Sequence, residues 1–237
     1  MKILVACETS GIVREAFNRA GHDAWSCDIL PSDTPTNKHI TGDVRDVVEM
    51  DTWDMLYVAH PPCTRLTNSG CRWLIEPCNE IGGTYSEEQR EAFKLMNREE
   101  KLDFLWTDLQ AGAELFSFCL NVDKTHGIKH IAVENPVMHK HAKARIKGYF
   151  KFSQSVQPWH FAEGDDSEDN VKKRTCLWLK NLPNLVATGN VDGSTARADC
   201  HNATPGKDRW KIRSKFYDGI ANAMADQWGS ILEGEAA

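Results

Sequence analysis

Hydrophobic positions along the first sixty residues follow two alternating rhythms. Lys2 to Cys7 holds a short, unbroken apolar run with polar flanks, the pattern of a strand buried on both faces. From Ile12 to Ala20 the spacing lengthens to a helical one, with Val13, Ala16, Phe17 and Ala20 on one side and Gly21 placed to end the helix. Further strands are expected at Asp23–Asp28, Ile40–Asp43 and Met55–Ala59, the last running into His60-Pro61-Pro62-Cys63. Strand, helix, strand, strand in this order predicts an α/β fold with a doubly wound, mostly parallel sheet.

The pattern loosens between Thr64 and Glu87, a turn-rich stretch with Cys71, Trp73 and the Gly82-Gly83 pair that reads as an inserted loop or small subdomain over 64–87. Ser86-Glu87-Glu88-Gln89 has the form of a capping box, opening a long helical region up to Leu120. A buried strand at Ile128–Val133 runs into Glu134-Asn135-Pro136, and a basic helix is expected around His139–Lys147. Strands are predicted near Phe152–Val156, Cys176–Leu179 and Asn184–Ala187, and Ser214–Leu232 has the spacing of a closing amphipathic helix. Neither repeats nor linkers interrupt the chain, so residues 1–237 read as one domain.

A composition of 41% hydrophobic and 26% charged residues excludes disordered and collagen-like chains. The longest apolar runs are strand-sized, so a membrane span is not expected, and the N-terminus lacks the pattern of a signal peptide, which points to the cytoplasm. Eight scattered cysteines without an export signal read as reduced thiols, and the Cys71–Cys78 spacing is too wide for a zinc knuckle, so no metal is expected. The 28 Lys and Arg against 34 Asp and Glu give a net charge of −6, but basic residues are segregated. Val171–Lys215 carries ten basic side chains and three acidic ones, Lys207 and Asp208 among them, and His139–Lys151 carries five basic ones and no acid. Local basic patches on an acidic protein suit contact with a polyanion.

In open α/β sheets ligands sit beyond the carboxyl ends of the strands, where this sequence places its unusual residues. The turn Cys7-Glu8-Thr9-Ser10-Gly11 has one glycine where a dinucleotide-binding loop has three, so a ligand with an amino-acid or carboxylate part, met by helix-start amides, suits it better. Asp28 ends the second strand where an acid commonly accepts bonds from ribose hydroxyls. Pro61 and Pro62 force a rigid, extended exit from the fourth strand and fix the direction of Cys63. Glu134 leaves another buried strand, so the two should face one cleft: a thiol able to act as nucleophile and a carboxyl able to carry a proton.

These motifs together resemble the DNA cytosine methyltransferases that alkylate carbon 5, in the small form met in bacteriophages. The resemblance spans most of the chain: Ala6–Gly11, Asp28, Gly42-Asp43, Pro61-Pro62-Cys63, Glu134-Asn135, Lys172-Lys173-Arg174 and the last helix. It implies a Rossmann-like methyltransferase fold, S-adenosylmethionine as cofactor and DNA as partner, in a monomeric cytoplasmic protein of a bacterial or phage-infected cell. It further implies that Cys63 attacks the base, Glu134 protonates its ring nitrogen and Arg174 lies near the base or its phosphate. Asn135, Lys172 and Lys173 are then substrate contacts, while Cys7, Glu8, Thr9, Ser10, Gly11, Asp28, Asp43 and Pro61 form the donor site. The chain departs from the family at Glu8, His60, Thr64 and Pro136, where glycine, glycine, glutamine and valine are usual, and it has no large target-recognition region. Sequence context is therefore expected to be short or relaxed. Methylation of RNA or a free nucleotide, and a catalytically silent nucleic-acid-binding module, are the competing readings. Trp73 and Trp210 are candidates for stacking on bases.

Overall fold

The computed structural model describes residues 1–82, 84–204 and 209–236. Gly83, Lys207 and Asp208 lie outside the described residues, as does the side chain of Trp210. The fold is α/β, built on one seven-stranded sheet. The strands are β1 (Lys2–Ala6), β2 (Asp23–Asp28), β3 (His39–Thr41), β4 (Met55–Val58), β5 (His130–Asn135), β6 (Gln154–Val156) and β7 (Thr175–Lys180), in the spatial order β3-β2-β1-β4-β5-β7-β6. The first five run parallel. β7 enters antiparallel to β5, and β6 pairs antiparallel with β7 on the edge. The order is that of a doubly wound sheet, reversing direction between β1 and β4, with β7 inserted near one side.

Alternation along the strands divides the core into two layers. Ile3, Val5, Met55, Tyr57, Ala132, Leu177 and Leu179 face α1 (Ile12–Arg19) and the last helix, Asp218–Ala236, through Val13, Phe17, Ile220 and Met224. Leu4, Ala6, Leu56, Val58, Ile131, Val133, Cys176 and Trp178 face the opposite layer, which includes α2 (Val44–Val47).

The expected insertion is larger than its turn-rich segment. It contains α3 (Asn68–Cys71), a 3-10 turn at Arg72–Leu74 and α4 (Glu87–Leu95). Cys71, Leu74, Ile81 and Phe93 close a satellite core against Leu105 and Leu109 of α5 (Arg98–Thr125). The single long helical region expected from Ser86 is therefore two helices. Asn97 interrupts it by accepting bonds from the amides of Glu99 and Glu100 in a second capping box, which starts α5 in a new direction.

The basic helix is one turn, α6 (Lys140–Lys143), and α7 (Asp199–Asn202) and α8 (Arg209–Ser214) precede α9 (Asp218–Ala236). No strand forms at 184–187. The Gln154 side chain takes both the amide and the carbonyl of Leu185, and Gln227 does the same for Val186, so side-chain amides replace a ladder partner. Among the described residues no helix is long and apolar enough to cross a membrane. No cluster of His, Cys, Asp and Glu among them is arranged to hold a metal ion.

Candidate active site

The carboxyl ends of β1 and β4 are neighbours at the reversal point, and the chain loads both with polar residues. After β1 the backbone turns through a left-handed conformation at Cys7, φ 56°, which few non-glycine residues adopt outside sites that over-determine it. Glu8 then folds inward. Its carboxylate, 0% exposed, accepts bonds from the amides of Val13 (2.7 Å) and Arg14 (3.3 Å) at the start of α1. Burial pushes it up to about 7, opposed by those amides and by the Arg14 charge. Glu8 thus anchors the helix start from within, and its oxygens are turned to the protein rather than to a ligand.

Gly11 is required here twice over. It sits at φ 75°, and a Cβ on it would overlap Nη2 of buried Arg14 and lie 2.7 Å from its Cζ. Arg14 continues inward to Ser26 Oγ (2.7 Å), which meets His39 Nδ1 at 2.9 Å. Thr9 donates its hydroxyl to Asp33 (2.9 Å), and Ser10 donates to Glu8 (3.4 Å).

Asp28 is half-buried at the end of β2, and one of its oxygens accepts from the Leu30 amide at 2.9 Å. Burial pushes its carboxyl above the usual range, with the Leu30 amide opposing. Beside it Ile29 and Leu30 present apolar surface to solvent. Asp43 is differently engaged. It caps α2 through the Arg45 amide (2.9 Å) and pairs through both oxygens with the Arg45 guanidinium, which holds its carboxyl below the usual range.

Cys63 follows buried Pro61 and exposed Pro62, and its carbonyl accepts from the Leu66 amide (3.0 Å), closing a turn. Two glycines face this loop, Gly112 at ordinary contact distance and Gly70 much closer. Gly112 of α5 places a would-be Cβ 3.5 Å from the Pro62 carbonyl oxygen. Gly70 of α3 is tighter: a Cβ there would overlap the Thr64 carbonyl oxygen and lie 3.1 Å from Arg65 Cα. Arg65 is buried and bonds Asp108 of α5 (3.2 Å), which also accepts from the Tyr85 hydroxyl. The loop is therefore clamped from the insertion on one side and from α5 on the other.

Glu134, 5% exposed, stands on the same sheet face as Tyr57 and Leu177. Burial pushes its carboxyl up to about 7, opposed by the Lys173 ammonium and the Thr175 hydroxyl. Burial also raises the Cys63 thiol. The Glu134 carboxylate raises it further, while Lys173 and Arg213 act in the opposite sense. Cys63 lies beyond β4 and Glu134 at the end of β5, its parallel neighbour, and the charge of Glu134 acts on the thiol. His60, edge-on to Phe216 with ring centroids 5.6 Å apart, is pulled down to about 3 by burial and then by Lys173, so it is a neutral imidazole at physiological pH.

The remaining expected residues distribute differently. Arg174 lies on the other sheet face, with Cys176, and donates to Ser155 Oγ at 3.1 Å, so the structure does not bring it to Glu134. Asn135 shares that opposite face. Its amide is wholly buried and both polar atoms lack a protein partner. Lys172 is exposed, and Lys173 is half-buried on the Glu134 side. In the basic segment Lys180 pairs with Asp123, Lys215 with Glu168, and Arg197 holds the Ser167 and Glu168 carbonyls.

Sequence reasoning missed Tyr57, whose buried hydroxyl has no partner and feels the charges of both Glu134 and Glu8. The signal was available, since Tyr57 is the only residue of MLYVA with a polar tip and period two places it on the Glu134 side. Two surface clefts lie elsewhere: one of about 570 Å3 between α4 and α5, and one of about 420 Å3 between α1 and α9. Neither cleft is lined by Cys63 or Glu134. No protein-family model matches the chain, and no curated protein matches it.

Proposed function

We propose that the protein transfers a methyl group from S-adenosylmethionine to carbon 5 of cytosine in DNA, through a covalent adduct at Cys63, on a Rossmann-like methyltransferase fold. The observation that supports this reading is the placement of Cys63 and a buried Glu134, its carboxyl pushed up to about 7, at the exits of adjacent parallel strands. Cytosine carbon 5 is a poor nucleophile on its own. Addition of the Cys63 sulfur to carbon 6, with a proton passing from Glu134 to ring nitrogen 3, moves the electron pair of the 5,6 double bond onto carbon 5. Later, a base such as water takes the proton from carbon 5. The sulfur–carbon 6 bond then breaks and the ring-nitrogen proton returns to Glu134. A carboxyl near 7 both gives and recovers a proton at physiological pH, as the two halves of this cycle need.

The donor pocket is supported by the residues around Asp28. The carboxylate has one oxygen engaged by Leu30, leaving the other for ribose hydroxyls, and exposed Ile29 offers apolar surface beside it. The turn Cys7–Gly11 and buried Pro61 complete the wall, with Glu8 and Asp43 shaping it from behind. When bound there, S-adenosylmethionine supplies an electrophilic methyl group. Asp28→Ala should weaken its binding by about 1.5–3 kcal/mol, the worth of a hydrogen bond to a charged group. Unchanged affinity by calorimetry would take Asp28 out of the pocket.

DNA contact is supported by cations at the carboxyl end of the sheet. Exposed Arg213 acts on Cys63, and Lys172 is exposed shortly before β7. Arg72 stacks on Trp73 at 4.4 Å and Arg145 on Trp106 at 4.6 Å, pairings of the kind that meet phosphates and bases. Target bases inside a duplex must be flipped out to reach Cys63. With no large target-recognition region in the sequence, a context of roughly one to three fixed bases is expected.

The test is covalent trapping. DNA carrying 5-fluorocytosine blocks elimination, because fluorine cannot leave as a cation, so the wild-type protein with S-adenosylmethionine should form a denaturant-resistant DNA adduct. Cys63→Ala should form none. No adduct with the wild type would sink the mechanism, and an adduct with RNA alone would change the substrate.

A further inference from the structure

We propose that Lys173, and not Arg174, is the cation of this site: a positioning residue whose ammonium favours the thiolate of Cys63. The inference rests on the Cys63–Glu134 reading above and assigns it a third member.

Three observations place Lys173. Within β7, residues 175, 177 and 179 share the face of Glu134 and 176 and 178 the other, and just before the strand Arg174 bonds Ser155 beside Cys176 while Lys173 does not. The Lys173 ammonium is held in position, donating to the Lys215 carbonyl at 2.7 Å, with the Tyr217 ring centroid 6.0 Å away. The Lys215 carbonyl that it binds is followed by Phe216, whose ring lies against His60 at the head of the Cys63 loop, and the Lys173 charge acts on His60, Cys63 and Glu134. Arg174 meets none of these conditions, since it is exposed and bonded to Ser155 on the far face.

The chemistry needs such a group. Burial opposes ionisation of Cys63, and so does Glu134 while it is a carboxylate. Once Glu134 takes a proton its opposition vanishes, and the charges acting on Cys63 are those of Lys173, two residues ahead of β7, and Arg213 from α8. Arg213 is exposed and screened by solvent, whereas Lys173 is half-buried and tethered, so its field is the stronger. Lys173 is thus tied to the carbonyl that ends α8 and leads into α9, which fixes the cation through the closing helices rather than through DNA.

Alkylation of Cys63 by iodoacetamide as a function of pH, followed by peptide mass spectrometry on the full chain without DNA or donor, tests this. Lys173→Gln keeps a donor for the Lys215 carbonyl and removes the charge. It should move the midpoint of Cys63 alkylation up by about one pH unit, slowing the reaction at pH 7.5 about tenfold. Lys173→Arg should restore most of the rate, and Arg174→Met should leave the Cys63 profile within about twofold. A wild-type profile in Lys173→Gln with normal melting would overturn the proposal. So would equal slowing by Gln and Arg, which would mean a packing role; if Lys173→Gln melts early, Lys173→Met and Lys173→Arg compared at a temperature where both are folded decide it by the same criterion. Trapping of fluorocytosine is read separately, so a wild type that fails to trap DNA while its alkylation profile depends on Lys173 removes the proposed function and keeps the assignment.

Discussion

Replacing Glu134 by glutamine should abolish methyl transfer while making the protein harder to unfold above neutral pH. The carboxyl is held up to about 7 in the folded chain against an ordinary value of 4.5, and burial is the first cause. Between those two pH values the folded state binds more protons than the unfolded one, so stability falls as pH rises from about 4.5 through 7 and stays lost above. A shift of this size corresponds to about 3 kcal/mol at most. Glutamine keeps the shape without the charge. Melting curves of wild type and Glu134→Gln should therefore nearly coincide at pH 4.5 and separate at pH 8, with the variant higher. Activity should fall about 10²–10⁴-fold, the usual worth of a positioned general acid. Retained turnover, or a variant that melts lower at pH 8, would show that Glu134 is an ordinary paired carboxylate.

Gly70→Ala should be nearly as damaging to activity although residue 70 belongs to the insertion and carries no chemistry. The added methyl group must displace the backbone at Thr64 and Arg65, the residues directly after Cys63. Overpacking of this kind costs about 1–3 kcal/mol of stability. Its larger effect is on placement, since an ångström of displacement at a reacting atom costs about a hundredfold in rate. Gly82→Ala is the control in the same insertion, because a Cβ there meets nothing within 4 Å. It should leave melting and turnover unchanged, and Gly70→Ala turning over like the wild type would show that the Cys63 loop is not held by α3.

The strands were legible because burial on both faces leaves compact apolar runs, and β1, β2, β4 and β5 lie within a residue or two of their expected bounds. The placement of Cys63 after β4 and of Glu134 on its neighbour β5 was legible for the same reason, since parallel strands deliver their exits to one end of a sheet. What composition could not show was which way single side chains turn. Glu8 sits in a turn that looks open to a ligand, yet the free amides of α1 are nearer and claim it. Lys172, Lys173 and Arg174 are alike as a basic triplet. They separate only in the folded chain, where Arg174 bonds Ser155, Lys173 bonds the Lys215 carbonyl and Lys172 is exposed. The strand expected at 184–187 failed because nothing in a local pattern reveals that Gln154 and Gln227, distant in sequence, will occupy its backbone.

The satellite core of Cys71, Leu74, Ile81, Phe93, Leu105 and Leu109 is small beside the two layers that cover the sheet. A unit with so little apolar area behind it opens at a lower free energy than the domain as a whole. Amide hydrogens of α3 and α4 should therefore exchange with solvent through a sub-global event that leaves β1, β4 and β5 protected. The Cys63 loop sits on that boundary, with one glycine contact in the part that opens and the other in the long helix behind it. Entry of a bulky nucleotide would then require only this outer unit to loosen, while the strands that aim the thiol and the carboxyl stay fixed.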